Sequence, residues 1–301
     1  MNKLEGLIIK GIAGFYYVKS GEDVYRCKAR GIFKQQNIKL AVGDRVKFEI
    51  IEGNDDNWIT ELHERRNEFI RPFITNVECF VIVVAAAKPN PVLTVIDKLT
   101  VMAEKKNTEV VICVNKADMA DSESNKGRKA AHAISEIRAK YDGVYPVVTL
   151  NSVNGDGYDE LRALIRGKVV ALAGPSGVGK STITNRLIPH AEAETGKISE
   201  KSNRGKHTTR HSELFQVEKD TMIFDTPGFT SFELMDIEDD ELQHLYPEIA
   251  ACIGTCKYSD CYHLAEPECG VIEAVESGKI HKLRYDSYVE QIKEIRKKKQ
   301  F

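Results

Sequence analysis

No apolar run in the 301 residues approaches the roughly 20 needed to cross a bilayer. The longest, residues 81–87, has the length of one buried strand. The opening Met1-Asn2-Lys3-Leu4-Glu5-Gly6 lacks the pattern of a secretory leader, so a cytoplasmic protein without membrane contact is expected. Charge of one sign is missing too: 43 Lys and Arg stand against 45 Asp and Glu, a formal net charge of −2. That balance excludes capture of nucleic acid by overall charge and leaves any RNA contact to local patches. Repeats and low-complexity tracts are absent, which excludes solenoids and long disordered linkers. The seven cysteines do not read as a disulfide framework, because those near the C-terminus are spaced as metal ligands and the others are isolated. What remains, 42% hydrophobic and 29% charged residues, suffices for two or three globular domains.

Three segments differ in texture. Residues 1–70 carry short alternating runs at 6–12, 16–18, 24–29 and 45–51, separated by Gly and Asp turns. About five short strands with no helix predict an all-β barrel there. One of the turns, Val42-Gly43-Asp44-Arg45-Val46, leads into a strand. Residues 71–233 alternate apolar runs (77–87, 109–114, 144–150, 168–173 and 221–224) with helical stretches, which predicts a mainly parallel sheet wrapped by helices. Residues 234–301 read as helical, with short loops around a Cys/His cluster that has too few apolar residues for a core of its own.

The middle segment carries loops suited to a nucleotide. Gly174-Pro175-Ser176-Gly177-Val178-Gly179-Lys180-Ser181 has the spacing GxxxxGKS, with a strand before it and a helix-like stretch from Ser181 and Thr182 onward. Gly174, Gly177 and Gly179 let backbone N–H groups turn toward a β-phosphate, aided by the N-terminal end of the helix. Lys180 is placed to neutralise the β- and γ-phosphates, and the Ser181 hydroxyl to ligate magnesium. Asn115-Lys116-Ala117-Asp118 follows an apolar run, at the carboxyl end of the sheet where open α/β folds bind ligands. The Asp118 carboxylate can accept hydrogen bonds from N1 and N2 of guanine, which adenine does not offer in that arrangement, so GTP is favoured over ATP. Asn151-Ser152-Val153-Asn154-Gly155 resembles a supporting base loop. Asp225-Thr226-Pro227-Gly228 ends another apolar run; Asp225 suits a magnesium-water contact and the Gly228 N–H a γ-phosphate. Between these motifs, Gly205-Lys206-His207-Thr208-Thr209-Arg210 reads as a switch loop offering Thr208 or Thr209 to magnesium.

Near the C-terminus, Cys256, Cys261, His263 and Cys269 make a Cys3His set suited to tetrahedral zinc, with Cys252 as a spare candidate. Four protein ligands leave no open position, so the site is expected to be structural.

The order of the motifs is unusual: the base-reading motif comes first, the phosphate loop second and residues 225–228 last, whereas an ordinary GTPase leads with its phosphate loop. In this order, with a barrel in front and a Cys/His cluster behind, the chain resembles the ribosome small-subunit-dependent GTPase A family, also called RsgA or YjeQ, over essentially its whole length. The resemblance implies a multidomain α/β protein: an OB-fold β-barrel at 1–70, a circularly permuted P-loop GTPase domain at 71–233, and a helical zinc-binding domain at 234–301. It implies a monomer that hydrolyses GTP in late maturation of the small ribosomal subunit, contacts its rRNA, is stimulated by the subunit and couples hydrolysis to release. The implied cofactors are one structural Zn2+ and Mg2+ bound with GTP, and the zinc spacing matches Cys256 rather than Cys252. Phe229 stands where many GTPases carry a water-orienting glutamine, and a phenyl ring cannot orient water. His207 matches the histidine of the family's switch motif and, with Lys180 and Thr209, is an expected catalytic residue.

For RNA, Arg26, Lys28, Arg30, Lys34 and Lys39 are concentrated in one stretch of the barrel segment, with Tyr16, Tyr17, Tyr25 and Phe33 as candidate stacking residues. Arg296-Lys297-Lys298-Lys299 adds a basic tail. A nucleotide-regulated RNA-binding protein with incidental hydrolysis is the competing reading; an ATP-using kinase is disfavoured by Asp118 and the lack of an evident acceptor site. Because the chain passes from residues 225–228 directly into the Cys/His region, loss of the γ-phosphate is expected to displace that region while the barrel stays anchored.

Overall fold

The alternating runs at the N-terminal end close into a five-stranded barrel: β1 (Asn2–Ile12), β2 (Phe15–Ser20), β3 (Asp23–Ala29), β4 (Arg45–Ile50) and β5 (Asn57–Leu62). The structure is a computed structural model and describes residues 2–51, 53, 56–188, 212–225 and 237–298. β1 pairs antiparallel with both β2 and β4, β2 with β3 and β4 with β5, and a parallel β3–β5 pairing completes the ring. A register shift between Ile8 and Lys10 lets β1 serve two partners, as a bulge bends a strand. One face of each strand fills the interior with Ile8, Val18, Cys27, Val46, Phe48 and Ile59, all fully buried. The expectation of a barrel without a helix is corrected: α1 (Gly31–Gln35) packs the buried Phe33 against this core. Five residues are too few to show a helical period in the sequence.

The turn at 42–45 fastens the barrel to the hairpin that follows it, β6 (Glu68–Ile70) and β7 (Phe73–Thr75). Gly43 sits at φ 98°, and a Cβ there would stand 2.1 Å from the Thr75 carbonyl oxygen, so only glycine fits. Asp44, fully buried, accepts from the Ala41 N–H, the Thr75 hydroxyl and Arg65 Nε, each at 2.8 Å.

Contacts divide the chain into two units. The first comprises Met1–Val81, Tyr158–Leu172 and Lys180–Phe229; the second, Ile82–Gly157, Ala173–Gly179 and Thr230–Phe301. β8 (Cys79–Ala85) and β9 (Glu109–Asn115) are almost wholly buried runs of Val, Ile, Ala and Cys, the texture of parallel strands covered on both faces. In the second unit β9 pairs in parallel with β10 (Val147–Thr149), and the helices are α2 (Leu93–Lys105) and α3 (Asn125–Tyr141), the latter capped by the Ser124 hydroxyl on the Gly127 N–H. In the first unit lie α4 (Tyr158–Ile165), α5 (Lys180–Leu187), the paired part of β11 (Val169–Ala173), β12 (Glu213–Glu218) and β13 (Thr221–Asp225). β11 runs parallel to β13, whereas β12 is antiparallel to β13 and meets β1 at Lys10 and Glu213, an ion pair of 3.0 Å.

The C-terminal part, within the second unit, holds α6 (Pro247–Ala250), α7 (Gly270–Glu276) and α8 (Lys282–Lys298). It does have a core, contrary to the sequence expectation: Leu242, Tyr246, Ile249, Val271, Tyr288 and Ile292 are fully buried, joined by Val101 of α2. These residues come from short separate segments, so no periodic run announces them. Among the described residues no helix is long and apolar enough to cross a membrane.

Candidate functional site

In the second unit, Asn115 joins three loops. It ends β9 almost fully buried; its Nδ2 donates to the Val178 carbonyl at 2.9 Å, and its Oδ1 accepts from the Ser152 hydroxyl at 2.8 Å. Lys116, with φ 61°, donates from Nζ to the Gly177 carbonyl at 2.7 Å and to the Lys88 carbonyl. The Ala117 N–H donates to the Leu150 carbonyl at 3.0 Å, which ties the segment 115–118 to the loop after β10. The Asn151 side chain is spent on its own turn, accepting from the Val153 N–H at 2.9 Å. Asp118, half-buried, lies in a short 3-10 turn over Ala117–Ala120. The polar groups of the motif thus brace the loops, while the carboxylate of Asp118 is left partly open to solvent.

The glycines of the phosphate loop are required by contacts and not only by the motif. Gly174 has φ 136°, and a Cβ would meet the Val83 carbonyl oxygen at 2.0 Å; Gly179 has φ 101°, and a Cβ would meet Asn115 Nδ2 at 2.3 Å. Pro175 is half-buried, Ser176 and Gly177 are exposed, and Val178 is buried beneath them. In the first unit, Lys180 opens α5, with Ser181 and Thr182 exposed on its first turn. Burial lowers the Lys180 pKa, so its ammonium is short of solvation and would gain from an anion. Asp225 is exposed at the end of β13. His207, Thr208, Thr209 and Gly228 lie outside the described residues.

The Cys3His set comes together as expected. The ligand atoms of Cys256, Cys261, His263 and Cys269 lie within 4.8 Å of one another. Cys256 Sγ is 3.8 Å from Cys269 Sγ, and His263 Nδ1 is 3.5 and 3.4 Å from those two sulfurs. A tetrahedral zinc with Zn–S of about 2.3 Å and Zn–N of about 2.0 Å sets edges of about 3.8 and about 3.5 Å, so these atoms fit the ion. His263 Nε2 is 2.9 Å from Gln243 Oε1, an acceptor that fixes the proton there and leaves the Nδ1 lone pair facing the sulfurs. Burial lowers the His263 pKa, favouring the neutral, ligating form. The Glu266 carboxylate accepts from the N–H groups of Tyr262 (3.0 Å), Leu264 (2.7 Å) and Ala265 (3.0 Å), shaping the loop between ligands. Cys252, buried in the core, is not part of the set. Gln243 escaped the sequence reading because nothing marks a glutamine so far from its histidine as a partner.

On the barrel, the candidates for RNA separate by burial. Phe33 is buried in the core, and Tyr16 and Tyr25 pack against it. Phe15 was missed: Arg26 and Lys28 from β3 lie over its ring at 5.1 and 4.8 Å, both also paired with Asp56 at 2.7 Å. At the far end of the chain the Arg296 guanidinium sits 4.4 Å from the Tyr262 ring centroid.

Residues 62–235 match a family model described as RsgA GTPase, and residues 5–59 match the RsgA N-terminal domain. A Ruminiclostridium cellulolyticum protein named small ribosomal subunit biogenesis GTPase RsgA is 42% identical over 294 residues, 97% of this chain and 93% of that one. The crystal structure of YjeQ from Thermotoga maritima superposes with a TM-score of 0.83 at 34% identity, covering 98% of this chain and 99% of that one. The crystal structure of YloQ, described as a circularly permuted GTPase, gives 0.82 at 33% identity, covering 99% and 96%. With its motif order, closed barrel and Cys3His set, the chain belongs to the RsgA GTPase family.

Proposed function

We infer that this protein is a GTP hydrolase acting in the biogenesis of the small ribosomal subunit, the role carried by the names of its relatives. The observation that carries the reading is Asn115: one buried amide bonded to both the phosphate loop and the loop after β10, which suits a single guanine nucleotide gripped at base and phosphate. Asp118 reads the guanine edge, Asn151 and Ser152 shape the supporting loop, and the backbone of residues 174–179 cradles the phosphates. Lys180 neutralises phosphate charge as GTP splits. Magnesium, held by Ser181, Asp225 and Thr208 or Thr209, supplies charge neutralisation at the phosphates when bound. His207 orients the attacking water in place of the absent glutamine. Zinc, held by Cys256, Cys261, His263 and Cys269, supplies cross-linking of the C-terminal region and no chemistry. Domain borders at 1–70, 71–233 and 234–301, a cytoplasmic location and a monomeric state belong to the same proposal.

Ribosomal RNA is the proposed contact for the barrel, through Phe15, Arg26 and Lys28. Co-sedimentation with purified small subunits tests the role: the chain is expected to pellet with subunits in a non-hydrolysable GTP analogue and to stay behind in GDP. Equal pelleting in both would instead favour an RNA-binding protein whose hydrolysis is incidental.

A further inference from the structure

Arg284, on α8, is fully buried, and two carboxylates take up its guanidinium. Nη1 donates to Asp97 Oδ1 on α2 at 2.7 Å; Nε and Nη2 donate to the two oxygens of Glu248 on α6 at 2.5 and 3.2 Å. Asp97 is itself fully buried, and it also accepts from Lys140 Nζ at 2.6 Å and from the Tyr141 hydroxyl at 2.8 Å, both at the end of α3. Charges withdrawn from water are tolerated only when paired and hydrogen-bonded, so these groups hold one another in a single geometry.

The position of Asp97 gives the cluster its consequence. α2 runs through a short turn into β9, which ends at Asn115, and α3 begins at Asn125, shortly after the 3-10 turn that carries Asp118. The two helices that enter and leave the base-reading segment are therefore tied to α8 by one carboxylate. Lys98 with Glu294 (2.7 Å) and Lys105 with Glu241 (2.9 Å) add ties between α2 and the C-terminal region, whose core Val101 completes.

We propose that Asp97 and Arg284 form a coupling node that makes the Cys3His module and the guanine-reading loop one mechanical body, so that GDP bound at the loop steadies α8. Both are positioning residues, and the proposal rests on reading residues 115–118 as the guanine loop. Coupling by this route needs no displacement of the module away from α2. Binding linkage is reciprocal, so GDP at the loop must steady α8 as much as the module steadies GDP.

Hydrogen–deuterium exchange on the full chain with and without GDP tests this. GDP is expected to slow exchange at residues 115–118 and in α8. Arg284→Met should keep the protection at the loop and lose about fivefold or more of it in α8. Arg284→Lys, which keeps the charge but not the fork that reaches two carboxylates, should fall between. Protection of the loop without protection of α8 in the native chain overturns the node, as does equal α8 protection in Arg284→Met. Should Arg284→Met fail to fold, the native chain and Arg284→Lys decide by the same comparison. Absence of protection at the loop itself would remove the guanine reading and the node with it.

Discussion

Two neighbouring polar side chains in one motif divide their labour by burial. Asn115, almost fully buried, has both ends of its amide engaged by protein, whereas Asp118 is half-buried. With Asp118 as the proposed reader of the guanine edge, base identity should be changeable there without unbracing the loops. Replacing it with asparagine turns an acceptor facing guanine N1 and N2 into a donor, which costs about 3 kcal/mol for two charge-assisted bonds, or roughly 100-fold in GDP affinity. The amide can pair with the carbonyl at C2 of xanthine, so Asp118→Asn is expected to bind xanthosine diphosphate more tightly than GDP; fluorescence titration with both nucleotides checks it, and an unchanged preference for GDP would remove Asp118 from base recognition. Residue types and spacing mark residues 115–118 in the sequence as a candidate base-reading loop. The bracing role of Asn115 was not, since it depends on a carbonyl at Val178 that only the fold brings near. Phe15 was hidden for a similar reason: its cationic partners come from a neighbouring strand.

At the scale of elements, β8, β9 and β11 could be read directly because strands buried on both faces need unbroken apolar runs. β12 could not. Its buried positions, Leu214 and Val217, are three apart because a register shift between Gln216 and Glu218 breaks the alternation. The C-terminal elements share a core with α2, yet their loop between Cys256 and Cys269 is shaped by ligand spacing and by Glu266. Metal removal should loosen this region and not unfold it outright. A chelator strong enough to strip zinc is expected to lower the melting temperature by about 5–10 °C, the effect of roughly 3 kcal/mol on a cooperative unit of about 150–250 residues, and to weaken the near-ultraviolet signal of the tyrosines packed around the cluster. Cys269→Ser should reproduce both changes without chelator; a melting curve indifferent to chelator and to Cys269→Ser would deny the site a structural metal.

For the whole molecule, the unusual feature is the motif order. It places the guanine loop ahead of the phosphate loop and joins residues 225–228 directly to the C-terminal region. The structure gives that region a second tie, through Arg284 to α2, which the sequence could not announce because the partners are nearly two hundred residues apart. In the first unit β12, which follows the segment holding His207 in the chain, pairs with barrel strand β1. In chain order the nucleotide motifs lie between the barrel and the Cys/His region, and Phe229 stands where many GTPases carry a water-orienting glutamine. On the proposed function, the small ribosomal subunit should complete the site. Steady-state GTP turnover with and without purified small subunits measures it most directly. Turnover is expected to be slow alone and stimulated about 100-fold or more by the subunits, with His207→Ala losing most of that gain while GDP affinity stays unchanged. Turnover that is the same with and without subunits would mean that the subunit contributes nothing to the site.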